Sequence, residues 1–476
     1  MLFNSISFLI FFPVTTTLYF LCPHKYRWFV LLSASVFFYM SFIPAYILIL
    51  LVTITIDYLA AIYIEKTIGP KKKTYLIISI ISTLFVLFIF KYFNFFIGNF
   101  DTISYFFKWN YSIGFLNVIL PIGLSFHTFQ SLSYVIEVYR GNQKAEHNFG
   151  IYSLYVMFYP QLVAGPIERP QNLLHQFYEK HSFDFIRITD GLKLMLWGFF
   201  LKVAIADRLA VYVDTVYNHP TNYTGIPLIL ATVFFSFQIY CDFAGYSLIA
   251  IGSAKVMGFR LMENFNRPYF SESISEFWKR WHISLSTWFR DYLYLPLGGN
   301  RVKYHRWLLN LFIVFLVSGF WHGASWTYII WGSLHGFYLI FSILTRDIRK
   351  KLSDWFRLSK YPKTQKALRI VTVFLLISFA WIFFRANTTF EAVYIATHLF
   401  SSFSTKDITL FGRFNFILMI GSIGFMESIQ FFNEQNRNYS FLKTKSLIVP
   451  FCFYSFLILY ILYFGVFNEK FIYFQF

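Results

Sequence analysis

The sequence predicts an all-α integral membrane protein. Of its 476 residues, 57% are hydrophobic and only 13% charged, whereas a soluble globular chain carries about a quarter charged residues. Apolar stretches close to the ~20 residues that a spanning helix needs recur along the whole chain. Basic residues gather in alternate loops between those stretches, as expected when they hold loops on the cytoplasmic side.

Taken in order, the apolar stretches run over 2–21, 27–42, 44–64, 74–97, 113–138, 188–212, 226–252, 307–322, 325–344, 368–386, 412–432 and 446–468. About 11–12 spans are therefore expected. The first, Ile6 to Leu21, has neither a basic flank before it nor a small-residue cleavage site after it, so it reads as a retained helix and not a signal peptide. Residues 27–42 and 307–322 are short, which suits tilted, hairpin-paired or partly inserted helices. Ile151 to Gly165 is apolar but shorter still and is followed by Pro166, which suits a re-entrant or interfacial piece. No internal repeat or low-complexity linker divides the chain, so residues 1–476 read as a single polytopic membrane domain. The lack of a repeat also disfavours secondary transporters, many of which are built from duplicated halves.

The net charge of +18 comes from 41 Lys and Arg against 23 Asp and Glu. Lys25 and Arg27, Lys66 with Lys71–Lys73, Arg140 to Arg187, Lys255 to Arg306, Arg346 to Arg369, and Arg437 with Lys443 and Lys445 fall on one side if the helices alternate. The opposite loops, 98–112, 213–225 and 387–411, hold only Lys108 and Lys406 as basic residues. Both termini are thus expected outside, with the basic loops in the cytoplasm. No basic stripe with interleaved stacking aromatics lies outside the apolar segments, so nucleic-acid binding is rejected. Cys22, Cys241 and Cys452 are far apart and give neither a disulfide framework nor a metal spacing.

Within the long segment from Lys255 to Arg306, Trp278, Trp281 and Trp288 interleave with Lys279, Arg280, Arg290 and Asp291. That alternation suits a helix lying in the headgroup region, where a plain surface anchor is the simpler role.

The chemistry centres on His322, in Ser318-Gly319-Phe320-Trp321-His322-Gly323-Ala324-Ser325-Trp326, between two spans. A titratable group at membrane depth is costly unless paired or set in a cavity, which makes it a candidate functional residue. Imidazole also accepts a proton near neutral pH. The alternative is a histidine hydrogen-bonded between helices as packing glue. His282, in Trp281-His282-Ile283-Ser284, occupies the other unusual aromatic-polar stretch, and the pair suggests one shared cavity. Asp242 lies in a long apolar run and would orient an imidazole or anchor a helix contact, the second being favoured. Glu168 and Arg169, after Gly165-Pro166, would form a structural ion pair at a re-entrant turn or line a substrate entrance, the first being favoured. His335, thirteen residues beyond His322, reads as a packing partner nearer the cytoplasm. His127 and His398 have no polar company nearby. His24, His147, His175, His181, His219 and His305 fall in loops or at helix ends.

Several chemistries are excluded. The chain has no Gly-x-Ser-x-Gly elbow, His-Glu-x-x-His, paired Cys-x-x-Cys or Walker loop. None of its eleven histidines is followed five residues later by aspartate, so that acyltransferase signature is missing too.

The segments Arg267-Pro268-Tyr269-Phe270, Phe277 through Tyr292 and Gly319-Phe320-Trp321-His322-Gly323 resemble the membrane-bound O-acyltransferase (MBOAT) family. Pro121-Ile122-Gly123-Leu124-Ser125-Phe126 and Tyr159 through Ile167 are similar to its bacterial branch, whose members acetylate alginate or D-alanylate teichoic acids. The block around His282 is the most specific part. Length and overall pattern favour the alginate-acetylating group.

The resemblance implies a many-helix bundle enclosing a central tunnel, with His322 as the catalytic histidine and His282 as the second active-site position. It implies an acyl donor that is a cytosolic thioester, acetyl-CoA or an acyl carrier protein, with no bound cofactor and no metal. The acceptor would be a hydroxyl of an exported polysaccharide or an extracytoplasmic acetyltransferase partner. Trp278, Trp281 and Trp321 would line the substrate site and exclude water, with Arg290 and Asp242 as further substrate-binding candidates. Lys279, Arg280 and Arg290 could attract the donor's phosphates, although the cytoplasmic charge bias alone accounts for them. A polysaccharide or lipid exporter, and a scaffold without chemistry, are the readings from other classes.

Overall fold

A computed structural model describes residues 1–109, 111, 113–163, 165–401, 408–435 and 448–467. Lys406, Arg437, Lys443 and Lys445, which enter the charge argument, lie outside the described residues. So do the two ends of the span expected at 446–468. Among the described residues the regular structure is helical throughout, and the chain forms an all-α membrane protein. Six helical stretches among the described residues are long and apolar enough to cross a membrane: Pro44–Lys66, Lys71–Phe106, Ile226–Met257, Trp326–Leu344, Pro362–Arg385 and Arg413–Phe432. Ile6–Leu21 and Ile448–Phe464 are apolar but shorter.

The remaining expected spans are helical with shifted limits. The stretch expected at 113–138 becomes a helix only from Leu124 to Arg140. Pro121 and the left-handed Gly123 (φ +76°) delay it, and a Cβ at Gly123 would sit 2.6 Å from the Leu162 carbonyl oxygen. The stretch at 188–212 is one long helical run, Phe185–Tyr217, interrupted by a π-helical segment at Phe200–Ala206.

The chain folds as two compact units, Met1–Met195 with Ile249–Met262, and Leu196–Leu248 with Glu263–Phe476. In the first, α1 (Ile6–Leu21), α2 (His24–Met40), α3 (Ile47–Lys66), α4 (Lys71–Leu87) and α5 (Phe93–Phe106) precede α6 (Leu124–Arg140). Asp57 of α3 accepts hydrogen bonds from Ser79 (2.6 Å) and Thr83 (3.1 Å) of α4, so this apolar helix pair is tied by a buried polar contact. The short α7 (Phe149–Met157) is buried from Ile151 onward and α8 (Tyr159–Leu162) throughout. α9 (Pro170–Leu173) follows the carboxylate of Glu168, which accepts from the Met262 backbone N–H and from Asn172 (3.5 Å). Glu168 thus binds a backbone segment within its unit, and its burial raises its carboxyl pKa to about 7.

α10 (Phe185–Phe199) leads through the π segment into the second unit, which holds α11 (Asp207–Tyr217) and most of α12 (Ile226–Met257). There follow α13 (Ile274–Arg280), α14 (Ile283–Phe289), α15 (Tyr304–His322), α16 (Trp326–Leu344), α17 (Arg346–Trp355), α18 (Pro362–Arg385), α19 (Thr389–His398), α20 (Arg413–Gln435) and α21 (Ile448–Phe464). The core of this unit is unusually aromatic: Trp278, Trp281, Trp331 and Trp381 are all buried in one cluster.

Candidate active site

His322 ends α15, and α15 and α16 form a tight hairpin. Gly319 and Gly332 meet where these helices cross: a Cβ on Gly319 would lie 3.1 Å from the Gly332 Cα and 2.3 Å from the Tyr328 carbonyl oxygen. Only glycine allows that backbone approach, the small-residue packing common between membrane helices. Gly323 then ends the helix with the ring of Tyr328 where its own Cβ would be, 2.2 Å away. Ser325 restarts the chain as the N-cap of α16, accepting from the Thr327 N–H. The hairpin holds the His322 ring edge-on against Trp331 (5.0 Å, 87°), beside Trp321 (4.9 Å) and Phe384 of α18 (5.3 Å). His322 is 4% exposed.

His282 sits in the break between α13 and α14, in the left-handed region (φ 42°, ψ 56°). Residues 264–266 fix this strained point by pairing with it. The Asn266 N–H donates to the Arg280 carbonyl and the Ile283 N–H to the Asn264 carbonyl, each at 2.9 Å. The Ser284 hydroxyl donates to the Asn264 side chain at 2.6 Å, and Asn264 donates on to Ser247 of α12. A non-glycine residue held with positive φ by its surroundings is characteristic of functional sites. The His282 ring is fully buried, edge-on to Phe243 (4.6 Å). Burial lowers its pKa to about 3, so the imidazole is neutral.

An aromatic wall joins the two histidine segments. Trp281, next to His282, packs on Trp381 (5.1 Å), and Trp381 stacks on Trp331 (5.7 Å, 18°), the ring that faces His322. Trp278 meets Trp331 at 5.8 Å. The headgroup-anchor expectation for this segment is thereby corrected. Instead of one surface helix there are two of seven residues, bent at His282, and Trp278, Trp281 and Trp288 turn inward. Such walls exclude water and strengthen any electrostatic interaction made within them.

The other candidates are placed as follows. Trp278, Trp281 and Trp321 are buried around the two histidines. Asp242 is 2.7 Å from Lys202 of the π segment, which also holds Asp207 at 2.7 Å, and all three side chains are buried. That geometry is an anchor between α12 and the π segment. Arg290 is exposed and paired with Asp291 at 2.7 Å. Among the described residues no cluster of three or more His, Cys, Asp or Glu side chains could hold a metal. Sequence reasoning did not single out Lys202, Trp331, Trp381 or Phe384. A lysine inside an apolar run was the one available signal, and it applied to Lys202 alone.

The MBOAT model, for the membrane-bound O-acyltransferase family, matches residues 145–385, which include both histidines and the whole aromatic wall. The chain is 38% identical to the probable alginate O-acetylase AlgI of Pseudomonas aeruginosa over 447 residues, 91% of this chain and 83% of that protein. It is 36% identical to the peptidoglycan O-acetyltransferase of Helicobacter pylori, covering 76% of this chain and 72% of that one. Similarity to the teichoic acid D-alanyltransferase of Bacillus subtilis is 31% and covers 46% of this chain and 58% of that protein. A family model that covers half of the chain, and 38% identity to an O-acetylase across nine-tenths of it, make this chain an enzyme of the membrane-bound O-acyltransferase family.

Proposed function

We propose that this membrane O-acyltransferase moves an acetyl group from a cytosolic thioester, acetyl-CoA or an acylated carrier protein, to a hydroxyl on the far side of the bacterial cytoplasmic membrane. The acceptor is an exported polysaccharide, or an extracytoplasmic acetyltransferase partner that passes the group on. The observation that carries this reading is the 38% identity to an alginate O-acetylase across 91% of the chain.

The physical problem is that the donor is too polar to cross, so both substrates must meet at one buried point. His322 is assigned as the general base there. As the acceptor oxygen attacks the thioester carbonyl, its proton passes to the imidazole. The carbon–sulfur bond breaks, and the departing thiolate takes a proton to leave as the thiol. Base assistance of this kind contributes roughly 10²- to 10⁴-fold in rate. His282, neutral and rigidly held, orients the donor or stabilises charge developing on its carbonyl oxygen. Trp278, Trp281 and Trp321 exclude water from the reaction. Arg290 stays available to donor phosphates, and Asp242 is assigned the anchoring role that its Lys202 contact supports. Both termini lie outside.

Replacing His322 with alanine tests the reading in cells that make the polymer. Polymer still exported but without ester groups is the expected result. Loss of export would make the chain a transporter, and unchanged export and ester content would make it a scaffold.

A further inference from the structure

His335 lies one helical turn beyond Trp331 on α16 and is fully buried. The indole N–H of Trp278 donates to its Nδ1 at 3.3 Å. Indole can only donate, so Nδ1 carries the lone pair and the proton of the neutral ring is on Nε2. Among the described residues that Nε2–H has no hydrogen-bond acceptor, and neither does the indole N–H of Trp331. The two rings touch at 4.9 Å, and Trp331 is the ring against His322. Buried N–H groups are nearly always paired, and each exception asks for an explanation. Two adjoining exceptions beside the imidazole read as the general base point to an acceptor that arrives with a bound molecule, since both side chains are sealed from bulk water.

Direction along α16 identifies the molecule. The helix runs from Trp326, near His322, to Leu344, and the next residues are the basic Arg346, Arg349, Lys350 and Lys351. His335 is therefore displaced from Trp331 by about 6 Å towards that basic end, the side from which a cytosolic thioester enters. Coenzyme A and acyl carrier proteins share the phosphopantetheine arm, a thin chain with two amide carbonyls behind the thioester carbonyl.

We propose that Trp331 and His335 seat this arm, their ring N–H groups donating to its carbonyl oxygens, with Trp278 holding His335 in the tautomer that can donate. This rests on the thioester reading above and adds a donor-binding role for two residues outside the His322 and His282 motifs.

The test uses the full-length purified protein with acetyl-CoA, an acetylated carrier protein and acetyl-pantetheine as donors, together with binding of S-ethyl coenzyme A, an unreactive thioether. His335→Phe and Trp331→Phe keep the rings and remove the N–H groups. Each is expected to raise the KM for all three donors, and the Kd for the thioether, by about tenfold, while the acceptor KM is unchanged. His335→Gln, which restores a donor near the Nε2 position, is expected to recover most of the loss. If His335→Phe does not fold, Trp331→Phe decides alone. Native KM and Kd values in the folded variants would overturn the proposal, as would an effect on acetyl-CoA that spares acetyl-pantetheine. Failure of the native protein to transfer acetyl from any thioester would instead sink the acyltransfer chemistry, and thioether binding would still report on the seat.

Discussion

Gly319 and Gly332 bring the backbones of α15 and α16 together directly opposite one another. This contact sets how far His322 stands from Trp331. A Cβ on Gly332 would lie 2.3 Å from the Phe315 carbonyl oxygen, a rigid backbone atom that cannot swing aside. Gly332→Ala must therefore separate the helices, at a cost of about 1–3 kcal/mol typical of overpacking. The expected outcome is a protein that still inserts but has a lowered thermal midpoint. Acyl transfer should fall by at least about tenfold, because positioning errors near 1 Å are expensive in catalysis. Thermal unfolding in detergent and a transfer assay on the same preparation check both.

Lys202 holds Asp207 and Asp242 together where none of the three side chains reaches solvent. Removing Lys202 takes away the cation that both buried carboxylates contact, and breaking a buried ion pair in comparable sites costs about 3–5 kcal/mol. Lys202→Met is expected to accumulate poorly in the membrane. Asp242→Asn, which leaves the Lys202–Asp207 pair, should be milder. Its donor and acceptor KM values should stay native if Asp242 anchors α12 and does not touch substrate.

Much of the fold was legible because membrane helices announce themselves by length and apolarity. The expected span 325–344 matches α16 to within a residue, and 307–322 differs from α15 by three residues at its start. His322 stood out as a titratable group next to apolar runs, and the structure buries it at the end of α15. The segment around His282 was misread because Trp278, Trp281 and Trp288 alternate with Lys279, Arg280 and Arg290 as they would on a surface helix. Periodicity carries no sign of the left-handed turn at His282 that swings the tryptophans inward. The Lys202–Asp242 contact spans forty positions, and hydropathy has no term for which distant charge a lysine will meet. His335 looked like packing for a related reason: its bond to Trp278 exists only after α13 and α16 are placed together.

His282 should leave a mark on the acid limb of the stability profile. Burial among Phe243 and its neighbours holds its folded pKa near 3, against an unfolded value of 6.5. Between those values the unfolded chain binds a proton that the folded chain refuses. Stability therefore falls as pH drops below 6.5, by about 1.4 kcal/mol per unit while the difference persists, and is unaffected above neutrality. Glu168 works in the opposite sense. Its folded pKa near 7 against 4.5 unfolded means that the folded chain gains a proton first as pH falls between those values. His282→Asn, with no proton to refuse, is expected to flatten the loss between pH 6 and pH 4 (roughly, from these pKa limits) relative to the native chain. Melting midpoints of the two proteins across that range, compared with Glu168→Gln, separate the contributions. Equal slopes in the native and His282→Asn proteins would mean that His282 protonates in the folded state.

The charge pattern makes a separate prediction about orientation. Lys71, Lys72 and Lys73 open α4 directly after α3 ends at Lys66, whereas Lys108 follows the far end of the Lys71–Phe106 helix. A stretch of that length crosses the membrane once, so positions 72 and 108 must lie on opposite faces. The dense basic cluster is expected on the cytoplasmic one. With Cys22, Cys241 and Cys452 replaced by alanine, Lys108→Cys should react with a membrane-impermeant maleimide in intact cells, and Lys72→Cys only after permeabilisation. Labelling of Lys72→Cys in intact cells would invert the orientation expected for α3 and the Lys71–Phe106 helix.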